Sequence, residues 1–223
     1  MARLLRWIAG GLIAAVTLSA APVLALRWFA PPVTAFMLLD PAAGETLRYS
    51  WTDWSDIAPS VPLAVIASED QKFPAHFGFD LDSIRDALDD RQSGEPLRGA
   101  STISQQVAKN LFLWPGCSFV RKGIEAYFTV LIELALPKRR IVELYVNIAE
   151  FGPGTFGIGA AARRYFGKLP AAISDGEAAL LAAVLPNPKR FAVDRPTPYL
   201  YERQRWILTQ MRRLRREQIL NEL

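Results

Sequence analysis

Arg98-Gly-Ala-Ser-Thr-Ile-Ser-Gln-Gln-Val-Ala-Lys-Asn110 places two different demands on one short segment. Ile103, Val107 and Leu111 recur at i, i+4 and i+8, the spacing of a helix with one face in a core. Thr102, Gln105, Gln106 and Lys109 line a second face with donors and acceptors that a buried helix does not need. Ser101 is of the type that caps a helix, and Gly99 lets the backbone approach another group closely. Such a strip is either a solvated surface or one wall of a binding site, and the segment alone leaves both open.

Upstream, Ser60-Val-Pro-Leu-Ala-Val-Ile-Ala-Ser-Glu69 reads as an apolar helix with Ser60 as its cap and Pro62 in its first turn. Val61, Val65 and Glu69 share one stripe, so the helix ends on a carboxylate whose partial burial would raise its pKa toward that of a working base. Asp80 or Asp82 starts a further helix with Leu81, Ile84 and Leu88 facing inward, and residues 93–96 form a loop. Downstream of Trp114-Pro115-Gly116, a helix over 119–136 carries Arg121, Lys122 and Glu125, with Tyr127, Phe128, Leu131 and Ile132 as its apolar positions. Helices follow over 139–149, on Ile141, Leu144, Tyr145 and Ile148, and over 160–166, after a tight loop with glycines at 152, 154, 157 and 159. Ser174 to Glu177 is a capping box for a helix over 175–185, and an arginine-rich helix runs from Thr197 to the end. No strand alternation of useful length is present. The fold class is mainly α.

At 223 residues the chain holds one sizeable domain, and its 51% hydrophobic content points to membrane contact. Trp7 to Leu26 is a charge-free apolar run about 30 Å long as a helix, the thickness of a bilayer core. Arg3 and Arg6 precede it, which by the positive-inside rule leaves the N-terminus in the cytoplasm and the rest of the chain across the membrane. A cleaved signal peptide is the competing reading, because small residues lie near the end of the run. The length of the run exceeds a usual signal core and favours a retained anchor. This divides the chain into a cytoplasmic N-terminus and transmembrane anchor (1–29), an irregular connector (30–59), a globular domain (60–195) and a basic helix packed on or extending it (196–223).

A net charge of +4 suits anionic partners. Beyond a membrane, the C-terminal arginines face lipid phosphates or solvent, and nucleic acid is not expected. One Cys and one His rule out a Cys/His zinc site. The glycine loop lacks the preceding strand and Gly-Lys-Ser/Thr of a phosphate loop. Glu69 and Glu125 are the candidates for acid–base work; as ordinary residues they would be a helix-end acid and an i,i+4 partner of Arg121. Lys109, Arg121 and Lys122 gather beside them if the two helices are neighbours. Cations beside carboxylates on a membrane-anchored domain suit an anionic leaving group such as a diphosphate. Such a group departs on charge stabilisation, whereas a glycosidase must protonate a poor sugar leaving group. His76 is expected to organise its loop through hydrogen bonds.

Taken together, these motifs resemble the monofunctional biosynthetic peptidoglycan transglycosylases of glycosyltransferase family 51. They are Glu69-Asp70-x-x-Phe73-x-x-His76-x-Gly78-x-Asp80, the 98–110 stretch, Arg121-Lys122-x-x-Glu125, Arg140 to Asn147 continuing to Glu150-Phe151-Gly152, and the block 178–187. The resemblance implies a lysozyme-like helical domain behind a single N-terminal transmembrane helix, on the periplasmic side of the bacterial inner membrane. It implies polymerisation of lipid II into β-1,4-linked glycan with inversion at the donor MurNAc C1 and release of undecaprenyl diphosphate. Glu69 matches the general base and Glu125 the second essential carboxylate. Lys109, Arg121 and Lys122 match diphosphate contacts, and Ser101, Thr102, Gln106 and Asn110 line the donor side. No organic cofactor is implied; a divalent cation, Mg2+ or Mn2+, is allowed, with Glu125 as its candidate ligand. Lipid II, the growing lipid-linked chain, the membrane and other cell-wall synthesis or division proteins are the expected partners. Relatives often carry a basic residue where Cys117 stands, which leaves one cation fewer or a substitute such as Arg140. Ser-x-x-Lys and Lys-Thr-Gly are both missing, so a monofunctional enzyme is expected. The alternatives are a lytic glycosidase acting on finished wall, and a catalytically silent membrane scaffold.

Overall fold

The computed structural model describes residues 1–39, 47–82, 85, 101–116 and 118–223. Arg98 to Ala100, the 93–96 loop, Ile84, Leu88 and Cys117 lie outside the described residues. Leu81, expected to face inward, is exposed.

Two groups of helices enclose the core. In the first, α3 (Ser60–Glu69) packs against α8 (Asp175–Val184) and α9 (Pro198–Arg216). In the second, α4 (Ile103–Phe112) packs against α5 (Phe119–Ala135) and α6 (Lys138–Ile148). Contact between α3 and α6 joins the groups, so the end of α3 opens toward α4 across a cleft. Residues 60–67 of α3 are buried on every side, which explains why its sequence carries no polar face. Ser60 is not the cap: it is the first helical residue, and its hydroxyl donates to the Ile173 carbonyl at 2.9 Å. The capping box of α8 forms as expected, with Ser174 accepting from the Glu177 N–H.

The stretch after α1 (Ala2–Ala25) is more ordered than its prolines suggest. A short helix α2 (Ala35–Leu39) lies against α4, with Met37 buried. Strand β1 (Arg48–Tyr49) runs parallel to β3 (Thr155–Phe156), which forms a hairpin with β2 (Glu150–Gly152). Asn147 clamps the next segment by accepting from the Thr52 N–H and donating to its carbonyl, and Glu143 accepts from the Trp54 N–H. Gly157 closes the hairpin ahead of α7 (Ile158–Phe166) at φ +79, where a Cβ would strike the Asn147 carbonyl. That loop is therefore fixed by backbone geometry.

Helix α1 is long and apolar enough to cross a membrane and is largely unburied. It lies beside α5 and runs in the same direction. Ser19 Oγ meets Tyr127 Oη at 2.7 Å, and the Arg27 guanidinium donates to the Ala135 carbonyl at 3.2 Å.

Candidate active site

Asp70, the residue after α3, fixes where α4 begins. Its carboxylate accepts from the Ile103 N–H at 3.0 Å and from His76 Nε2 at 2.9 Å, which puts negative charge at a helix N-terminus. His76 therefore organises its loop, as its sequence context suggests. Thr102, not Ser101, caps α4: its hydroxyl accepts from the Gln105 N–H and donates to the Gly78 carbonyl at 2.7 Å, while Gln105 returns the bond to Thr102. Half of the polar strip on this helix is thus a buried capping box. Gln106 and Lys109, one and two turns on, are the half that faces the cleft.

Glu69 sits at the end of α3 with both oxygens engaged. Oε2 accepts from Gln106 Nε2 at 3.0 Å and Oε1 from the Ser68 hydroxyl at 3.1 Å. Burial pushes its pKa above the ordinary glutamate value, and the two hydrogen bonds and the charges of Arg203 and Lys109 restrain the rise. Gln106 is itself oriented by Tyr145, whose hydroxyl donates to the amide oxygen at 3.0 Å. Burial, with the nearby Glu69 and Asp70 charges, holds the Tyr145 hydroxyl well above its usual range, so it remains a donor. The relay from Tyr145 through Gln106 to Glu69 aims an N–H at the carboxylate. In sequence Tyr145 is indistinguishable from an apolar stripe residue.

Glu125 lies on α5 at 2% exposure, accepting from Arg121 at 3.0 Å and from Lys122. Lys122 also reaches the exposed Ser101 hydroxyl at 3.4 Å, linking the segment before α4 to α5. Among the described residues, Arg121 Nε is buried without a hydrogen-bond partner, an atom that an anionic oxygen would satisfy. Lys109 lies 5.3 Å from the Phe36 ring centroid. Burial pushes its pKa down; Glu125 and Glu69 act to hold it up, and Arg121 and Lys122 act to lower it. Lys109 thus stands within electrostatic reach of both carboxylates. With Gln106, Asn110, Tyr145, Glu150 and Asn187 it lines a cavity of about 280 Å³.

The structure therefore gathers Gln106, Lys109 and Asn110 around one cavity, with Glu69 joined to it through Gln106, and Ser101, Arg121, Lys122 and Glu125 into a cationic cluster within electrostatic reach of Lys109. Thr102 is held in the helix cap. Arg140 does not supply a substitute cation: its guanidinium donates to Glu143 and to the Leu26 and Phe29 carbonyls, and it lies over Trp51. Both oxygens of Glu125 are held by cations, and no group of three His, Cys, Asp or Glu side chains gathers among the described residues. That donor set does not fit a resident Mg2+ or Mn2+ ion, and no step below uses one.

A family model described as Transglycosylase matches residues 38–212. The chain is 49% identical over 219 residues to a biosynthetic peptidoglycan transglycosylase of Xanthomonas campestris pv. campestris, covering 95% of this chain and 89% of the relative. It is 50% identical over 204 residues to the protein of that description from Xylella fastidiosa, with coverage of 88% and 84%. The relative so described in Shewanella oneidensis is 48% identical over 216 residues, with coverage of 95% and 93%.

Proposed function

The chain belongs to the transglycosylase family, and from that membership and the geometry above we propose that it is a peptidoglycan glycosyltransferase that polymerises lipid II. The observation that carries this reading is the Glu69 carboxylate at the end of an apolar helix, held by Gln106, which with Lys109 lines the neighbouring cavity. In the proposed reaction, Glu69 takes the proton from the 4-hydroxyl of the acceptor sugar. The acceptor oxygen attacks the donor MurNAc C1 as the bond from C1 to the diphosphate oxygen breaks, which inverts that carbon. The electron pair leaves with undecaprenyl diphosphate, whose charge is met by Lys109, Arg121 and Lys122. The proton on Glu69 then returns to solvent. Glu125 holds Arg121 and Lys122 in place, and the unpartnered Arg121 Nε–H donates to a diphosphate oxygen.

A lipid-borne substrate fits the way α1 meets α5. Ser19 to Arg27 and Tyr127 to Ala135 are matched stretches, so Phe119 lies about 12 Å further along α1, beside its apolar run. Phe119 is 99% exposed and Val120 71%. Side chains this apolar and this open suit lipid rather than water. Arg121 and Lys122 follow them directly, so the cationic cluster adjoins this exposed apolar surface. A single-pass anchor with the catalytic domain on the periplasmic side agrees with this arrangement.

A raised Glu69 pKa would also suit the acid of a lytic glycosidase. Purified full-length protein is given lipid II in one reaction and finished peptidoglycan in another. Glycan polymer from the first and no soluble fragments from the second is the expected result; fragments without polymer would establish the lytic reading. A protein that does neither and binds other wall enzymes tightly would be a scaffold. Tyr145→Phe removes the donor that fixes Gln106 and is expected to cost about 1 kcal/mol of stability in thermal unfolding. It should also lower kcat about ten-fold with little change in KM.

A further inference from the structure

Ser68 and Glu69 form the last turn of α3, where helix carbonyls have no partner within the helix and the negative end of the helix dipole disfavours an anion. Arg203, on α9 and more than a hundred residues away, reaches this turn. Its guanidinium donates to the Ser68 carbonyl at 3.2 Å and lies 4.2 Å from the Trp206 ring centroid, which fixes its direction. On the other side, the Ser68 hydroxyl that donates to Glu69 also reaches the Ala182 carbonyl of α8 at 3.4 Å. The charged and titratable groups acting around this carboxylate are Lys109 from α4, Arg203 from α9, Tyr145 from α6 and the adjoining Asp70; α8 presents a backbone carbonyl. Lys109 faces the cavity and is committed to substrate in the reading above. Arg203 is not among the residues that line that cavity.

We propose that Arg203 is a positioning residue for Glu69: it ties down the last turn of α3 and supplies the positive charge that keeps the carboxylate anionic. Burial of Glu69 favours the neutral acid, and a base must be ionised to act. A guanidinium is always charged and takes no part in proton transfer, so it offsets that burial at every working pH without competing for the substrate proton. The inference rests on Glu69 being the base.

The test is the pH dependence of kcat/KM for lipid II polymerisation by full-length wild type, Arg203→Gln and Arg203→Lys, with thermal midpoints measured alongside. Arg203→Gln is expected to move the acidic limb up by about one pH unit, a loss of about ten-fold below the limb with little change above it. Arg203→Lys keeps the charge and is expected to hold the limb near its wild-type position. A glutamine variant whose activity falls equally at every pH, or whose limb does not move, overturns the inference. So does a lysine variant displaced as far as the glutamine one. Glu69→Gln separates the two claims: if it remains active, the base assignment fails whatever Arg203 does, and if it is inactive while the limb stays fixed, only the role of Arg203 fails.

Discussion

Glu69→Gln is expected to lower kcat/KM for glycan polymerisation by about 10³-fold while leaving the thermal midpoint unchanged or slightly raised. The loss corresponds to about 4 kcal/mol of transition-state stabilisation, within the range for removal of a general base. Glutamine has the shape of glutamate: its oxygen can keep the Gln106 donor, and its NH2 can donate to the Ser68 hydroxyl, which rotates to accept, so the neighbours stay in place. Stability does not suffer, because an ionised carboxylate in a buried position is itself costly, and its burial is what raises its pKa. The wild-type pH profile carries the same signature. Glu69 must be deprotonated to act, and its folded pKa lies above the ordinary glutamate value. Activity is therefore lost on acidification at a higher pH than an exposed glutamate would give. A Glu69→Gln enzyme that loses activity together with its cooperative unfolding transition would point to a structural role instead.

Lys109→Gln is expected to reduce kcat by about 10²-fold to 10³-fold, the scale of removing one charge that meets a developing anion. Lys109 lines the cavity that Gln106 and Asn110 also line, and it stands beside Arg121 and Lys122. Its pKa is pushed down in the folded protein, first by burial and then by those like charges. A lysine whose folded value lies below its unfolded value pays for its protonation at every pH below both. Removing it should raise the thermal midpoint at neutral pH, even as activity is lost. A residue that weakens the fold and yet is needed for turnover is the pattern of a site kept for binding. A lower midpoint together with nearly normal kcat would show that Lys109 belongs to the core rather than to the substrate.

Much of this site could be read from spacing, and the rest depends on contacts between distant parts of the chain. The helices over 103–112, 119–135 and 175–184 announce themselves by period and by capping residues. Glu69 stands out because an apolar helix ends on it. Ser101 and Thr102 are both good caps, and the choice between them is made by the Gly78 carbonyl, which takes the Thr102 hydroxyl. The strands are two or three residues long, too short for alternation to show. Tyr145 and Arg203 sit in an apolar stripe and an arginine run that give no sign of Gln106 or Ser68, 39 and 135 residues away. Arg140 looks available until its guanidinium is seen holding the end of α1.

The configuration of the newly made glycosidic bond tests the central chemistry most directly. Full-length wild-type protein is supplied with lipid II, and the anomeric configuration of the MurNAc C1 in the polymer is determined by NMR, with released undecaprenyl diphosphate counted per bond. Displacement of the diphosphate by an acceptor that Glu69 has activated gives a uniformly β-linked polymer and one diphosphate for each bond formed. An α-linked polymer, or a glycosyl group trapped covalently on Glu69 or Glu125, would mean that a carboxylate attacks the sugar itself, and the assignment of Glu69 as base would fall.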